Sequence, residues 1–407
     1  MKVLFVSMVA FEDNSSATIQ NKGIIKGLSA IHDVDVMTLR PNQRAIHYDD
    51  SMNDINKVIK NYYYIDIDPK YAVFRAKKQK YIGEEHTHGK TKLLKSVLNR
   101  GRNVVKALYD NTSIFDAQKI NVKGISKLRV DYGIYDIIIT ASDPKSSHLI
   151  GEKIFRDNKE CKAKWIQYWG DPMLHDISRK SGWRDILVKY HENRLISKAD
   201  KIIYASPLTL EKQMETFPKS SLKMSYANQV YAHVKNQSYN VNKETKDYIK
   251  VGYFGNYNSK IRNIMPLYNA AKDGDFSLKI CGSSDLSLRS TENISVNGMA
   301  PYKEAMKMEK ESDILVCICN SKGTQIPGKI YYCTSYMKPI LVIVDSEYKD
   351  QLRVFLESFE RFILCENNVD SIKDAIKKAK AQLIVNEFKL SDQLTPEYMA
   401  DKILANM

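Results

Sequence analysis

The chain has 407 residues, with 62 Lys and Arg against 48 Asp and Glu, a formal charge of +14. That length exceeds what one compact core serves, so two domains of roughly 200 residues each are expected. A 43% share of hydrophobic residues excludes a disordered chain. No apolar run reaches the ~18 residues of a membrane span. The opening stretch alternates and meets Glu12-Asp13 without a small-residue cleavage site, so it does not read as a secretory leader. A cytosolic protein is expected.

In chain order, Lys2–Ser7 reads as a buried parallel strand, and Glu12–Ser16 as a polar loop. Thr18–Leu28 reads as a helix with Ile19, Ile24, Ile25 and Leu28 on one face, and Asp33–Leu39 as the next strand. This is the opening of a Rossmann-like sheet. Residues 41–131 are an irregular, Tyr-rich, basic elaboration. Strands follow at Tyr135–Thr140, Ala163–Gln167 and Lys201–Tyr204. A polar stretch at 229–247 reads as a linker between a first domain, 1–228, and a second, 248–390. The second has strands at 248–255, Ser277–Cys281, Ile314–Cys319, Pro339–Val344 and Arg361–Cys365. Residues 391–407 form a last helix, expected to cross back to the first domain.

The six cysteines include no CxxC, and Cys317-Ile-Cys319 alone is too few ligands for a metal. They read as core residues, and no metal site is expected. The charge surplus calls for an anionic partner. No nucleic-acid module is present, which leaves phosphate-bearing substrates and an anionic membrane surface. For the latter, His88–Tyr109 interleaves Lys90, Lys92, Lys95, Arg100, Arg102 and Lys106 with Leu and Val, although Gly101 interrupts it. It reads equally as a core-facing helix.

Three segments carry a more specific signal. Gln325-Ile326-Pro327-Gly328-Lys329-Ile330-Tyr331-Tyr332, continuing to Lys338-Pro339-Ile340-Leu341, resembles the donor-site signature of family-4-like GT-B glycosyltransferases. Gly252–Ile264, with Gly255, Asn256, Lys260 and Arg262, resembles the same family at the first strand-loop-helix of the donor domain. Ser142-Asp143-Pro144-Lys145-Ser146-Ser147-His148 and Tyr168-Trp169-Gly170-Asp171-Pro172-Met173 resemble the acceptor-domain loops of a subgroup, which carries Arg and Trp where Gly170 and Met173 stand here. Tyr332 replaces the family's ribose-binding Glu and cannot chelate two hydroxyls as a carboxylate does.

The resemblance implies an α/β protein of the GT-B type, two Rossmann-like domains facing a central cleft. It implies a retaining, metal-independent hexosyltransferase that takes a nucleotide-sugar, foremost a UDP-sugar, as co-substrate. The acceptor would be a glycan or polyprenyl-linked glycan in capsule, exopolysaccharide or cell-surface synthesis; a peripheral place at the inner membrane face, which the membrane reading of Lys90–Lys106 would give, suits a lipid-linked acceptor. It implies catalytic roles for His148 and Asp171, and donor contacts from Gly255, Asn256, Lys260, Arg262, Gln325, Gly328, Lys329 and Tyr332. It places acceptor-side contacts at Asn14, Ser15, Ser16 and Gln20; Ser15 or Ser16 reads equally as a helix cap.

Competing readings are weaker. Asp66-Ile67-Asp68 matches the metal-binding Asp-x-Asp string of GT-A enzymes, but it also reads as a strand edge. No G-x-G-x-x-G follows either first strand, against a dinucleotide dehydrogenase. Loss of the ribose Glu leaves open a degenerate partner or chaperone of an active transferase.

Overall fold

A computed structural model describes residues 1–43, 45, 47–69, 71, 113–230, 248–385, 388 and 390–407. The basic segment His88–Tyr109 and residues 231–247 of the linker lie outside them.

Seven strands form the first sheet: β1 (Lys2–Ser7), β2 (Asp33–Leu39), β3 (Tyr62–Ile65), β4 (Ile137–Ala141), β5 (Lys164–Trp169), β6 (Lys201–Tyr204) and β7 (Met224–Tyr226). All pairs are parallel, in the order β3-β2-β1-β4-β5-β6-β7. The central strands are apolar throughout because helices cover both faces. Val3, Phe5, Val36, Ile137 and Ile139 face one layer, and Leu4, Val6, Met37 and Ile138 the other. The sequence places β1, β2 and β6 at their observed bounds. It misses β3, β7 and, in the second sheet, β10, all short strands with few fully buried positions.

The second sheet contains β8 (Ile249–Phe254), β9 (Phe276–Cys281), β10 (Ile294–Asn297), β11 (Ile314–Ile318), β12 (Ile340–Val344) and β13 (Ile363–Glu366). It is also parallel, in the order β10-β9-β8-β11-β12-β13. The last helix, Pro396–Leu404, leaves this domain and packs on α1 (Ser16–Ser29). Met399, Ala400 and Ile403 are buried with Ile24, Ile25 and Leu28 in the first domain's core. The approach is close enough that a Cβ at Gly27 would lie 2.0 Å from the Pro396 carbonyl oxygen.

In each sheet the strand order reverses once, between β1 and β4 and between β8 and β11. Loops part in opposite directions there and leave a crevice beyond the strand C-termini. The candidate residues after β1, β4, β8 and β11 all fall at these two points.

Candidate active site

The first-domain half is built from the loops after β1, β4 and β5. Ser15 caps α1, its Oγ accepting from Thr18 N at 3.2 Å. Of the two readings for Ser15, the structure thus favours the cap. Asn14 is held through its backbone N–H to the His47 carbonyl (2.7 Å), and Ser16 is exposed. Gln20 is buried, and its Nε2 has no hydrogen-bond partner. It lies beside Gly170, where a Cβ would meet Ser142 O at 3.3 Å.

His148, in the first turn of α2 (Ser146–Asp157), is 0% exposed and lies on the Trp169 ring, centroids 4.0 Å apart. The Trp165 indole donates to Thr140 Oγ1 (2.9 Å), so the Thr140 hydroxyl is free to donate to His148 Nδ1 (2.8 Å). This relay assigns the ring proton to Nε2, which is buried without a partner. Burial and then the nearby Lys145 push the imidazole down to about 3. Both causes favour the neutral imidazole, which in this tautomer offers an N–H at Nε2.

Lys145 bridges Asp143 (2.9 Å) and Asp176 (2.6 Å). Burial alone would lower its ammonium, but Asp143, Asp176 and Asp171 hold it above its usual range. Burial and the adjacent Asp143 push the Asp171 carboxyl up to about 8. Burial likewise lifts Glu192 to about 7, although it accepts from Met173 N (3.0 Å) and Leu174 N (2.8 Å). Both carboxyls hold protons in the folded chain that the unfolded chain has lost. From these two carboxyls unfolding releases protons, which gives stability a component that falls as pH rises from about 4 to about 8; the depressed imidazoles of His148, His175 and His191 oppose it below their ordinary range. Asp171→Asn is expected to flatten that slope in urea titrations across the window. An equally steep slope in the variant would show that Asp171 is ionised in the native state.

The second-domain half starts at Gly255. A Cβ there would meet only the Tyr253 hydroxyl, at 3.8 Å, so the space above the backbone is open. A Cβ on Gly282, after β9, would instead strike Gly255 O at 2.0 Å. Asn256 Oδ1 accepts from the Ser283 N–H and hydroxyl, joining the two loops. Lys260 is exposed. Arg262 Nε donates to Asn320 Oδ1 (2.8 Å) and Nη1 to Asn256 O (3.3 Å), which pins the guanidinium across the β8–β11 crevice.

The second signature differs from its expected arrangement. Pro327 opens a helix of only six residues, Gly328–Cys333, and the Gln229 side chain is packed against Gly328, with Oε1 2.0 Å from where a Cβ would sit. Lys329 is not a free cation: its ammonium is paired with the buried Glu309 and lies over the Tyr332 ring, 4.3 Å from the centroid. The Tyr336 hydroxyl donates to the other Glu309 oxygen. A carboxylate thus stands near Tyr332 after all, but it comes from helix Tyr302–Glu311 and faces inward. Lys338 is also internal, donating to the carbonyls of Glu309 (2.8 Å), Lys310 (3.0 Å) and Ser312. It caps the C-terminus of that helix.

The two halves meet at Thr324-Gln325. Ser206 Oγ and Thr209 Oγ1 donate to Thr324 O (3.0 and 3.2 Å), and Gln325 Nε2 donates to His175 O (2.8 Å). Gln325 Oε1 is left unpaired. The Asp-x-Asp string is satisfied elsewhere, with Asp66 on Arg40 (2.8 Å) and Asp68 on Lys123 (2.7 Å). Among the described residues no His, Cys, Asp and Glu cluster has metal-ligand geometry, and no helix is long and apolar enough to cross a membrane.

Glu309, Gln229, Glu192 and Lys145 escape sequence reasoning. Glu309 and Glu192 look like ordinary solvated helix charges, and their burial depends on partners far along the chain.

No family model and no curated relative matches the chain. Solved structures do. Sucrose-phosphate synthase from Thermosynechococcus elongatus superposes with a TM-score of 0.57 at 13% identity, over 99% of this chain and 94% of that one. A point mutant of S. aureus TarM, in complex with Fondaparinux, alpha-GlcNAc-glycerol and UDP, gives 0.52 at 11%, over 100% and 96%. UDP-GlcNAc 2-epimerase from Neisseria meningitidis, bound to UDP-GlcNAc, gives 0.51 at 13%, over 99% and 98%. The chain has the two-domain, Rossmann-like GT-B fold. At these identities the likeness is one of fold.

Proposed function

We propose that the chain transfers a sugar, with retention and without a metal, from a nucleotide-sugar to a glycan or lipid-linked glycan acceptor. The observation that carries this reading is a set of buried polar atoms without partners at the strand C-termini of both domains. His148 Nε2 and Gln20 Nε2 lie on one side and Gln325 Oε1 on the other. Buried donors and acceptors are normally paired, and sugar hydroxyls have the chemistry to pair these. Arg262 supplies charge for the leaving diphosphate at the facing switch point, where a metal ion serves other enzymes. Asp171, whose carboxyl burial and Asp143 push up, orients the acceptor hydroxyl by hydrogen bonding to it.

A second reading has its own support. Tyr332 in place of a carboxylate, and Lys329 neutralised by Glu309, fit a degenerate partner of an active transferase. The fold is also shared with an epimerase, so it does not choose between transfer and epimerisation.

UDP is expected to raise the melting temperature in the presence of a chelator, and uridine to do so far less. UDP-sugar turnover would then separate transferase from degenerate partner. If no nucleoside diphosphate shifts the melting temperature, or only with added Mg²⁺ or Mn²⁺, the proposed donor site is wrong.

A further inference from the structure

The helix α3 (Asp185–Ile196), which joins β5 to β6, is apolar on two opposite faces. Val188, Leu195 and Ile196 are buried, together with Glu192. On the other side Ile186 is 79% exposed, Leu187 43% and Tyr190 62%, and Trp183 in the preceding turn is 79% exposed. These four fall within roughly 100° of arc at helical spacing. A surface helix ordinarily carries polar residues there.

Within the same segment the exposed charges beside this face are lysines. Lys180 and Lys189 are exposed at its margins. The acids of the same segment are neutralised or internal: Asp185 is paired with Arg179 (2.6 Å), and Glu192 is buried against backbone N–H groups. The segment leaves the β5 C-terminus at Gly170-Asp171, so the face lies beside the cleft rather than at the far end of the domain.

We propose that the Trp183–Tyr190 face docks on an anionic lipid bilayer. Trp and Tyr favour the bilayer interface, Ile and Leu the acyl boundary, and Lys180 and Lys189, with Asp185 already paired, suit anionic headgroups. Docking here brings the first-domain side of the cleft to the membrane surface. The inference does not depend on which reaction the cleft performs.

The protein carries its own reporter. Of its three tryptophans, Trp165 and Trp169 are buried and only Trp183 meets water. The full chain is mixed with vesicles of equimolar phosphatidylglycerol and phosphatidylcholine, and with vesicles of phosphatidylcholine alone. Emission is expected to shift to the blue, and the protein to co-sediment, with the anionic vesicles, with both effects weakened by salt. Ile186→Ser combined with Tyr190→Ser should reduce vesicle affinity about tenfold or more. The melting temperature should stay near that of the parent, and Ile31→Ser, at an exposed site elsewhere, should bind as the parent does. Co-sedimentation without an emission shift would place lipid contact on another surface and overturn the proposal. So would undiminished binding by the double variant, or a parent dimer that the double variant converts to monomer, which would make the face a self-association surface.

Discussion

Lys338→Met is expected to destabilise the second domain by about 2 to 4 kcal/mol, the largest effect of any single substitution considered. The methionine keeps most of the stem volume, so the loss isolates the ammonium. That ammonium satisfies the carbonyls of Glu309, Lys310 and Ser312 inside the protein. Removing it leaves two buried acceptors and a part-buried one without their donor, and one buried group already costs about 1 to 3 kcal/mol. Partial relaxation and water entry keep the total below the simple sum. Lys307→Met on the same helix is the control, because Lys307 is exposed and only grazes Glu311 at 4.0 Å. Its effect should stay within about 0.5 kcal/mol. Urea denaturation read by circular dichroism measures both, and similar midpoints for the two variants would remove the capping role from Lys338.

Arg262→Ala is expected to weaken nucleoside diphosphate binding by about 1.5 to 3 kcal/mol, or roughly 10- to 100-fold. The guanidinium is fixed at Nε by Asn320 and at Nη1 by Asn256, so little entropy is lost when a phosphate meets its remaining N–H groups. Asn320 in turn donates to Gln325 O (2.8 Å), linking the arginine to the loop that reaches the first domain. Calorimetric titration with UDP and with uridine separates charge recognition from general disruption. The variant should lose UDP affinity and keep its weak response to uridine. Lys329→Ala is expected to act differently, because its charge is already met by Glu309. Its loss strands a buried carboxylate and should lower stability without ligand more than it lowers UDP affinity. An unchanged UDP affinity in Arg262→Ala would move the diphosphate away from the β8–β11 crevice.

The architecture is legible in the chain because parallel strands buried on both faces write themselves as unbroken apolar runs. KVLFVS and ILVIV need no tertiary information to be seen. Edge strands are half-buried and short, so Tyr62–Ile65 and Ile294–Asn297 resemble loops. The candidate residues fall at strand C-termini beside the switch points, and that placement is legible from the strand pattern alone. Their electrostatics are not. Nothing local to Lys329 announces Glu309, 20 residues earlier on another helix, and nothing near His148 announces that its ring is neutral and its Nδ1 already occupied. The same distance separates motif from role at Lys338. Beside Pro339 it reads as punctuation between helix and strand, whereas its side chain closes the end of a helix completed before β11 begins.

The return of helix Pro396–Leu404 to α1 also governs the order in which the molecule is made. The first domain's core contains Met399, Ala400 and Ile403, so that core cannot close while the ribosome is still adding the second domain. Val230 already packs against Gly23 of α1, close enough that a Cβ there would lie 2.0 Å from Val230 Cγ2, but the flank beside Gly27 waits for Pro396. For most of its synthesis the chain therefore carries an N-terminal sheet with one greasy flank bare, at the stage when nascent chains are most prone to aggregate. The nine-residue helix Pro396–Leu404 acts as a latch, and its emergence, rather than completion of either sheet, is the event that seals the first domain.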